Sequence, residues 1–391
     1  MRFSSKASMS EGLGVAMLMR KFYPLTGGYQ NQALRLATEL RKNGLRVYVV
    51  TQRHATLQPY EMYQDIPIHR VFAFRSGYLA SWSYLISAFL WMLRNRARFQ
   101  IIHANRSSSG LVAGLIGFLL RKQVLYKLTR GDEIDTKGLR SGLVGRMKIG
   151  CLRRTVGKFV SLTAPTAEDL VALGVPPAKI ARIPNGINFE DRVKDYDRDR
   201  IRAELSFDPQ TKVVTFVGRL VHAKGVDWLL DIWKIVSRAE TRARLLIVGD
   251  GPERSVLEAR VRELGILDSV TFTGRQEDVY RFFSMSDVFV LPSRLEGMSN
   301  ALLEAMSQGL PVVASDDRLG GNRSVLTDRR CGIIIPFGDT EAFAHSLLGL
   351  LQNERLRCDM GKRARRKVEQ AFSIEYVTRR YLEVYHELVG A

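Results

Sequence analysis

Cysteine is scarce in this chain: Cys151, Cys331 and Cys358 are the only three among 391 residues. Their odd number and wide spacing exclude a disulfide framework and a four-cysteine zinc site, and make a reducing cytoplasm the simplest compartment. Long apolar runs are missing too. A bilayer-crossing helix needs about 20 apolar residues, whereas the stretch 78–93 is broken by Ser81, Ser83 and Ser87 and stops at Arg94, and 110–120 is shorter still. Residues 1–11 are polar and hold no apolar core of a leader, so no signal peptide is expected. No repeat of roughly 20 to 50 residues and no low-complexity tract is visible. Zinc-finger spacing and RNP-like aromatic patterns are absent, so nucleic acid is not the expected partner despite the basic composition.

Acidic residues are sparse in only one half of the chain. Residues 1–190 carry 28 Lys and Arg against 10 Asp and Glu, a net of +18, while 191–391 carry 31 against 30, a net of +1. Basic clusters at Arg94, Arg96 and Arg98, at Arg121 and Lys122, and at Arg140, Arg146, Lys148, Arg153, Arg154 and Lys158 lie in or beside apolar stretches. A field of this sign is drawn to an anionic membrane surface, at about 1 kcal/mol per cation held near it. Within 78–93, Trp82, Phe89 and Trp91 are bordered by Arg75 and by the 94–98 cluster. That segment is either a helix buried against the first sheet or a membrane-facing one, whereas 110–120 reads as a helix covering the sheet. The expectation is a cytoplasmic protein, peripheral on the inner face of the cell membrane.

At 391 residues the chain is too long for one ordinary core and predicts two domains. Apolar runs at 15–19, 47–51, 68–72, 100–104, 124–128 and 159–162 read as strands with amphipathic stretches between most of them, and a second series begins at Val213. Such alternation predicts mostly parallel α/β sheets. The charge-dense stretch 189–200 reads as the linker region. Its Asp195, Asp197 and Asp199 alternate with Arg198 and Arg200 and follow no buried strand, so a metal site there is rejected.

Two clusters carry chemistry. An apolar strand at 288–291 runs through Pro292 into a loop with Glu296, followed by a helix from about Asn300 that carries Glu304 and stops at Gly309 and Pro311. A helix start offers unpaired amides and a partial positive charge, so Met298, Ser299 and Asn300 are candidate donors to an anion while the two carboxylates suit hydroxyls beside it. About 75 residues upstream, another apolar strand enters a glycine turn at Gly218 that carries Arg219 and Lys224. A guanidinium fork and a compact ammonium both suit phosphate oxygens.

Together these clusters resemble the donor site of retaining glycosyltransferases of family 4, which have the GT-B fold. The likeness covers nearly the whole chain. Gly27-Gly28 after the first strand resembles the glycine loop that meets the donor phosphate across the cleft in that family; 184–188 resembles the entry to the second domain; Gly249 and the loop to Glu253 resemble the strand end near the nucleobase. The resemblance implies two Rossmann-like doubly wound parallel-sheet domains facing across a cleft, an acceptor-side domain at 1–188 and a donor domain at 189–371, with helix 372–391 packing back on the first. It implies a nucleoside diphosphate sugar as donor and a lipid-linked or polysaccharide acceptor, with no metal and no cofactor. In that scheme Arg219 and Lys224 stabilise the leaving diphosphate, Glu304 holds the ribose, and Glu296 holds the transferred sugar. His103 matches a family histidine near that sugar. Asn105 stands where a second histidine is common, and Arg130, Asp132 and Glu133 stand where another is frequent, which makes those three candidate acceptor contacts. A soluble acceptor, a donor-binding scaffold without catalysis, and an epimerase or phosphorylase of the same fold remain alternatives.

Overall fold

The computed structural model describes residues 12–24, 27–54, 56–74, 77–105, 107–128, 142–190 and 196–390. The chain divides into two compact units, one of residues 1–186 with 374–391 and the other of 187–373.

The first unit runs β1 (Gly14–Leu18), α1 (Gly28–Lys42), β2 (Arg46–Gln52), β3 (Tyr60–Tyr63), β4 (Ile66–Val71), α2 (Gly77–Arg94), β5 (Ile101–Asn105), α3 (Ser107–Leu120), β6 (Gln123–Lys127), α4 (Gly142–Thr155), β7 (Lys158–Ser161), α5 (Ala164–Ala172) and β8 (Ile180–Arg182). Its sheet has the order β3-β4-β2-β1-β5-β6-β7-β8, parallel except for the β3-β4 pair. Strands β1 and β5 are buried at every position, as a sheet covered on both faces requires. The period of two sorts β1 between two cores: Ala16 and Leu18 join Tyr84, Ala88, Ile116 and Leu152 from α2, α3 and α4, while Val15 and Met17 join Leu36 and Leu40 from α1 and Val377, Tyr381 and Tyr385 from the C-terminal helix Ile374–Gly390.

The second unit runs α6 (Arg198–Glu204), β9 (Lys212–Val217), α7 (Val226–Ala239), β10 (Ala243–Val248), α8 (Arg254–Glu263), β11 (Val270–Gly274), α9 (Tyr280–Met285), β12 (Val288–Leu291), α10 (Asn300–Ser307), β13 (Val312–Asp316), α11 (Gly321–Val325), β14 (Ile333–Pro336), α12 (Thr340–Gln352) and α13 (Glu354–Ala371). All six strands are parallel, in the order β11-β10-β9-β12-β13-β14. The strand order reverses beside β9, which puts the loops after β9 and β12 next to each other at the carboxyl ends, where open α/β sheets take ligands.

One sequence expectation is corrected and two gain detail. The linker reading of 189–200 fails from Arg198 onward, where α6 begins: the Asp197 carboxylate caps it by accepting from the amides of Asp199 and Arg200, and Ile201 anchors it in the core. Asp195 lies outside the described residues. The helix at 110–120 does cover the sheet, but with its small side: a Cβ on Gly110, Gly114 or Gly117 would come within 2.9 Å of the Tyr126 ring, 2.3 Å of Thr155 Oγ1 and 2.2 Å of Val124 Cγ2 respectively. Leu115, Phe118 and Leu119 therefore face outward and are exposed. Along 78–93 the helix is buried on one side, at Tyr84, Ala88 and Met92, and exposed on the other, at Trp82 and Ile86.

Candidate active site

The loop after β9 starts at Gly218, whose amide donates to the Val248 carbonyl at 3.0 Å. Gly249 has φ +148, and a Cβ there would sit 1.8 Å from the Gly218 carbonyl oxygen, so only glycine lets these two strand ends approach. Arg219 follows on the exposed side of the loop. His222–Lys224 form one 3-10 turn, ended by Gly225 at φ 65, which is also the N-cap of α7. A Cβ on Gly225 would meet the Pro292 carbonyl oxygen at 2.1 Å, which shows how tightly the β9 loop is pressed on the β12 loop.

Backbone bonds stitch the two loops together: the amides of Arg294 and Leu295 donate to the Ala223 carbonyl at 2.9 and 3.2 Å. The Arg294 guanidinium donates to both Asp227 oxygens at 2.6 and 2.7 Å and lies 4.9 Å from the centre of the Phe337 ring. Burial pushes the Asp227 carboxyl up, but the Arg294 bonds outweigh it and leave the group below the usual carboxylate range. This fork fixes the frame in which Lys224 meets Glu296. Their side chains form an ion pair, and Ser293 Oγ donates to the same Glu296 oxygen at 3.2 Å. Both side chains are largely shielded, at 20% and 11% exposure, so solvent screens the pair less than it would a surface one.

Asp317 completes the loop cluster and was not anticipated from sequence. Its Oδ1 accepts from the amides of Glu296 at 3.2 Å, Leu319 at 2.9 Å and Gly321 at 3.3 Å, and its Oδ2 accepts from Asn322 at 2.8 Å. Burial raises its pKa above the usual range even against those four amides. A Cβ on Gly321 would meet the Glu296 carbonyl oxygen at 2.2 Å, so the glycine admits the Glu296 loop. The available sequence signal was an aspartate at a strand end followed closely by Gly320-Gly321, a local turn former rather than a recognisable site motif. Beyond Glu296, Ser299 caps α10 by accepting from the Leu302 amide at 3.3 Å; Met298 and Ser299 are buried, and Asn300 and Glu304 are half-buried.

The structure thus brings Gly218, Lys224, Glu296 and Gly249 into one cluster, with Arg219 on the same loop and Met298 to Glu304 leading away along α10. Gly27 and Gly28 belong to the first unit, where Gly27 is the extended N-cap of α1. Arg130, Asp132 and Glu133 lie outside the described residues.

His103 belongs to the first unit. It stands at a strand end as expected, but the period of two turns it to the face covered by the C-terminal helix, where it is fully buried. Its Nδ1 lies 2.7 Å from the Tyr385 hydroxyl and its ring 5.4 Å from that of Tyr381. Burial first, and the Lys127 charge second, bring its pKa down to about 3, so the imidazole is neutral. In this position it packs the C-terminal helix onto the sheet.

Residues 26–191 match Glycosyltransferase Family 4, and residues 197–367 match Glycosyl transferases group 1. Over 376 residues the chain is 26% identical to N-acetyl-alpha-D-glucosaminyl L-malate synthase of Bacillus anthracis, which covers 94% of this chain and 96% of that relative. It is 25% identical over 306 residues to UDP-Gal:alpha-D-GlcNAc-diphosphoundecaprenol alpha-1,3-galactosyltransferase of Escherichia coli, covering 77% and 78% of the two chains. Among solved structures, Anabaena Alr3699/HepE in complex with UDP and glucose superposes with a TM-score of 0.81 over 96% of this chain and 100% of that one, at 18% identity, a likeness of fold.

Proposed function

Because this chain belongs to glycosyltransferase family 4 and has the GT-B fold, we propose that it is a retaining hexosyltransferase that moves a sugar from a nucleoside diphosphate to a lipid-linked or polysaccharide acceptor at the cytoplasmic face of a membrane. The observation that carries the reading is the Lys224–Glu296 pair, formed by two strand-end loops that the Arg294–Asp227 fork and the Asp317 amide bonds hold in register. The pair keeps an ammonium and a carboxylate side by side, charged and preset. A donor diphosphate competes for the ammonium, and the sugar hydroxyls then donate to the released carboxylate.

In the transfer step the bond from the anomeric carbon to the diphosphate oxygen breaks, and a bond from that carbon to the acceptor oxygen forms on the same face. The acceptor proton passes to the departing diphosphate oxygen. Arg219 and Lys224 stabilise the charge that grows on that oxygen, the term that preorganised sites supply most strongly. Glu304 takes the ribose hydroxyls, with the start of α10 at Ser299 and Asn300 beside the phosphate. A phosphate-contacting role for Gly27 and Gly28 belongs to the same proposal. The charge at the diphosphate is met by cations and amides, so no metal enters this scheme.

A soluble small acceptor is the second reading, favoured by the near full-length match to an enzyme whose name specifies L-malate. A radiolabelled nucleotide sugar offered with lipid-linked, polysaccharide and small hydroxylated acceptors separates the readings, and NMR of the product gives the anomer. Transfer with retention supports the proposal; epimerisation, hydrolysis alone or binding without turnover overturns it.

A further inference from the structure

We propose that the outer face of α2, α3 and α4 is a docking surface for an anionic lipid bilayer, in which apolar side chains enter to headgroup depth while adjacent arginines hold lipid phosphates. This rests on the membrane part of the reading above, names the surface responsible, and does not depend on the donor assignment.

The three helices pack side by side on one face of the first sheet. Their 46 residues contain no Asp or Glu, and between Asp65 and Asp132 the chain runs 66 residues without an acid while carrying ten Lys and Arg. Of the nineteen large hydrophobic side chains exposed among the described residues, nine lie on these helices, against four in the whole second unit. Trp82 is 65% exposed on α2, Phe118 71% on α3, Leu143 75% and Met147 67% on α4. Scattered exposed apolar residues need no explanation, but a concentration on three adjacent helices does.

Helix α3 makes the case most directly. Gly110, Gly114 and Gly117, at spacings of four and three, lie on its inner side with Ala113 and Ile116, while Leu115, Phe118 and Leu119 lie on its outer side. Ile116 is buried, but three of the bulkiest side chains are turned toward water while three glycines face inward, the reverse of what burial alone selects. Exposed cations flank the outer side: Arg94 at the end of α2, Arg121 after α3, and Arg146, Arg153 and Arg154 on α4. Apolar and aromatic groups ringed by arginine suit the headgroup boundary of an anionic leaflet. None of the helices is long and apolar enough to cross a membrane among the described residues, so the contact lies on the bilayer. A second copy of the chain fits this face poorly, since a two-fold contact would set these like charges against each other. A soluble polyanion would use the arginines and leave the apolar side chains unexplained.

The test is co-sedimentation of the full chain with phosphatidylglycerol-containing and pure phosphatidylcholine vesicles, at physiological salt and at about 1 M, where the Debye length falls to about 3 Å. Tryptophan quenching by bromine-labelled acyl chains, with Trp82→Phe as the reference, reports entry of α2. The variant Leu115→Ser/Phe118→Ser removes outward bulk without touching the core, and Val256→Ser/Leu267→Ser does the same on the second unit. The expected result is binding to the anionic vesicles only, weakened by salt, with quenching that Trp82→Phe removes. Leu115→Ser/Phe118→Ser should bind about tenfold or more less tightly, and the second-unit variant should match wild type. Equal binding to both lipids, binding unchanged in Leu115→Ser/Phe118→Ser, or a lipid-free dimer that this variant dissociates would each overturn the proposal. Stabilisation by UDP is measured on the same samples. Wild type that is stabilised by UDP and ignores vesicles defeats only this surface, whereas vesicle binding without any response to nucleotides defeats only the donor site.

Discussion

Replacing Lys127 by methionine should make the first unit more stable at neutral pH. Lys127 ends β6 with 5% of its surface exposed; among the described residues its ammonium has one hydrogen bond, to Asn185 Oδ1 at 3.3 Å, and it lies 5.7 Å from the centre of the Tyr381 ring. No carboxylate pairs with it among the described residues. Burial brings its pKa from 10.5 to about 8. At about 1.36 kcal/mol per unit, the charged form is disfavoured by roughly 3 kcal/mol in the fold. The folded pKa is lowered, so below about 8 the lysine is charged in both states and the penalty is complete. Between about 8 and 10.5 the native state holds fewer protons than the unfolded one, stability rises with pH, and the penalty is gone above 10.5. Methionine fills a similar volume without the charge, so Lys127→Met should gain up to roughly 3 kcal/mol at pH 7 and lose that advantage as pH approaches 10. Hydrogen exchange of amides in 101–127 measures opening of this unit alone. A methionine variant less stable than wild type at pH 7, or a difference that does not change with pH, would refute the argument and mean that the ammonium has a compensating partner.

Lys224→Ala and Arg219→Ala should each lower turnover about a hundredfold, the scale of one preorganised charge-stabilising donor, with circular dichroism unchanged; wild-type rates in a labelled-donor assay would remove the phosphate role. Gly249→Ala should cost the second unit about 4 kcal/mol or more, since its φ of +148 and the 1.8 Å approach to Gly218 leave no room for a Cβ, and urea unfolding reads the loss. Tyr385→Phe strips the hydroxyl from His103 Nδ1 and should cost about 1–3 kcal/mol of stability while turnover per folded molecule stays at the wild-type level, because His103 acts in the core. A large drop in turnover would restore a catalytic part for His103.

Strong apolar runs made most of the fold legible. The run 124–128 is β6 displaced by one residue, and 15–19 is β1 with the same displacement. Strand β3, Tyr60-Glu-Met-Tyr63, alternates exposed and half-buried positions at the sheet edge and has no buried one, while β8 has three residues and cannot display a period. The separate loops of Lys224 and Glu296 were readable because each follows an apolar strand into a break. Their pairing was not. It depends on β12 lying beside β9 in the sheet, although β10 and β11 come between them in the chain, and strand order is a property of how hydrophobic faces close on one another. Asp317 escaped for a related reason: three of its four amides come from its own turn, but the one that ties it to the site comes from Glu296, on a loop that meets it only after that closure. For His103 the strand end was legible and the face was not, since what covers that face is the C-terminal helix some 280 residues later, as its separation of 282 from Tyr385 records.

The helix at 110–120 separates apolar content from burial. Helix α7 sends Trp228, Leu229, Ile232 and Trp233 into the core and places Asp227 and Arg238 in its first and last turns, the ordinary division of a helix against a sheet. In α3 every residue from Gly110 to Leu120 is uncharged, so apolarity cannot choose a side. Volume chooses instead: the side with glycine at 110, 114 and 117 can approach β6 and Thr155 of α4 closely enough to exclude water from both, and Leu115, Phe118 and Leu119 are carried outward by the same rotation. Enlarging the inner side therefore attacks the packing directly. Gly114→Leu should force α3 away from Thr155, whose Oγ1 lies only 2.3 Å from where a Cβ would stand, at an overpacking cost of about 1–3 kcal/mol. Leu115→Ser, one residue along on the outer side, should change stability by less than about 0.5 kcal/mol. Urea unfolding of the two variants compares adjacent positions on one helix, and equal losses would mean that α3 does not sit with its glycines inward.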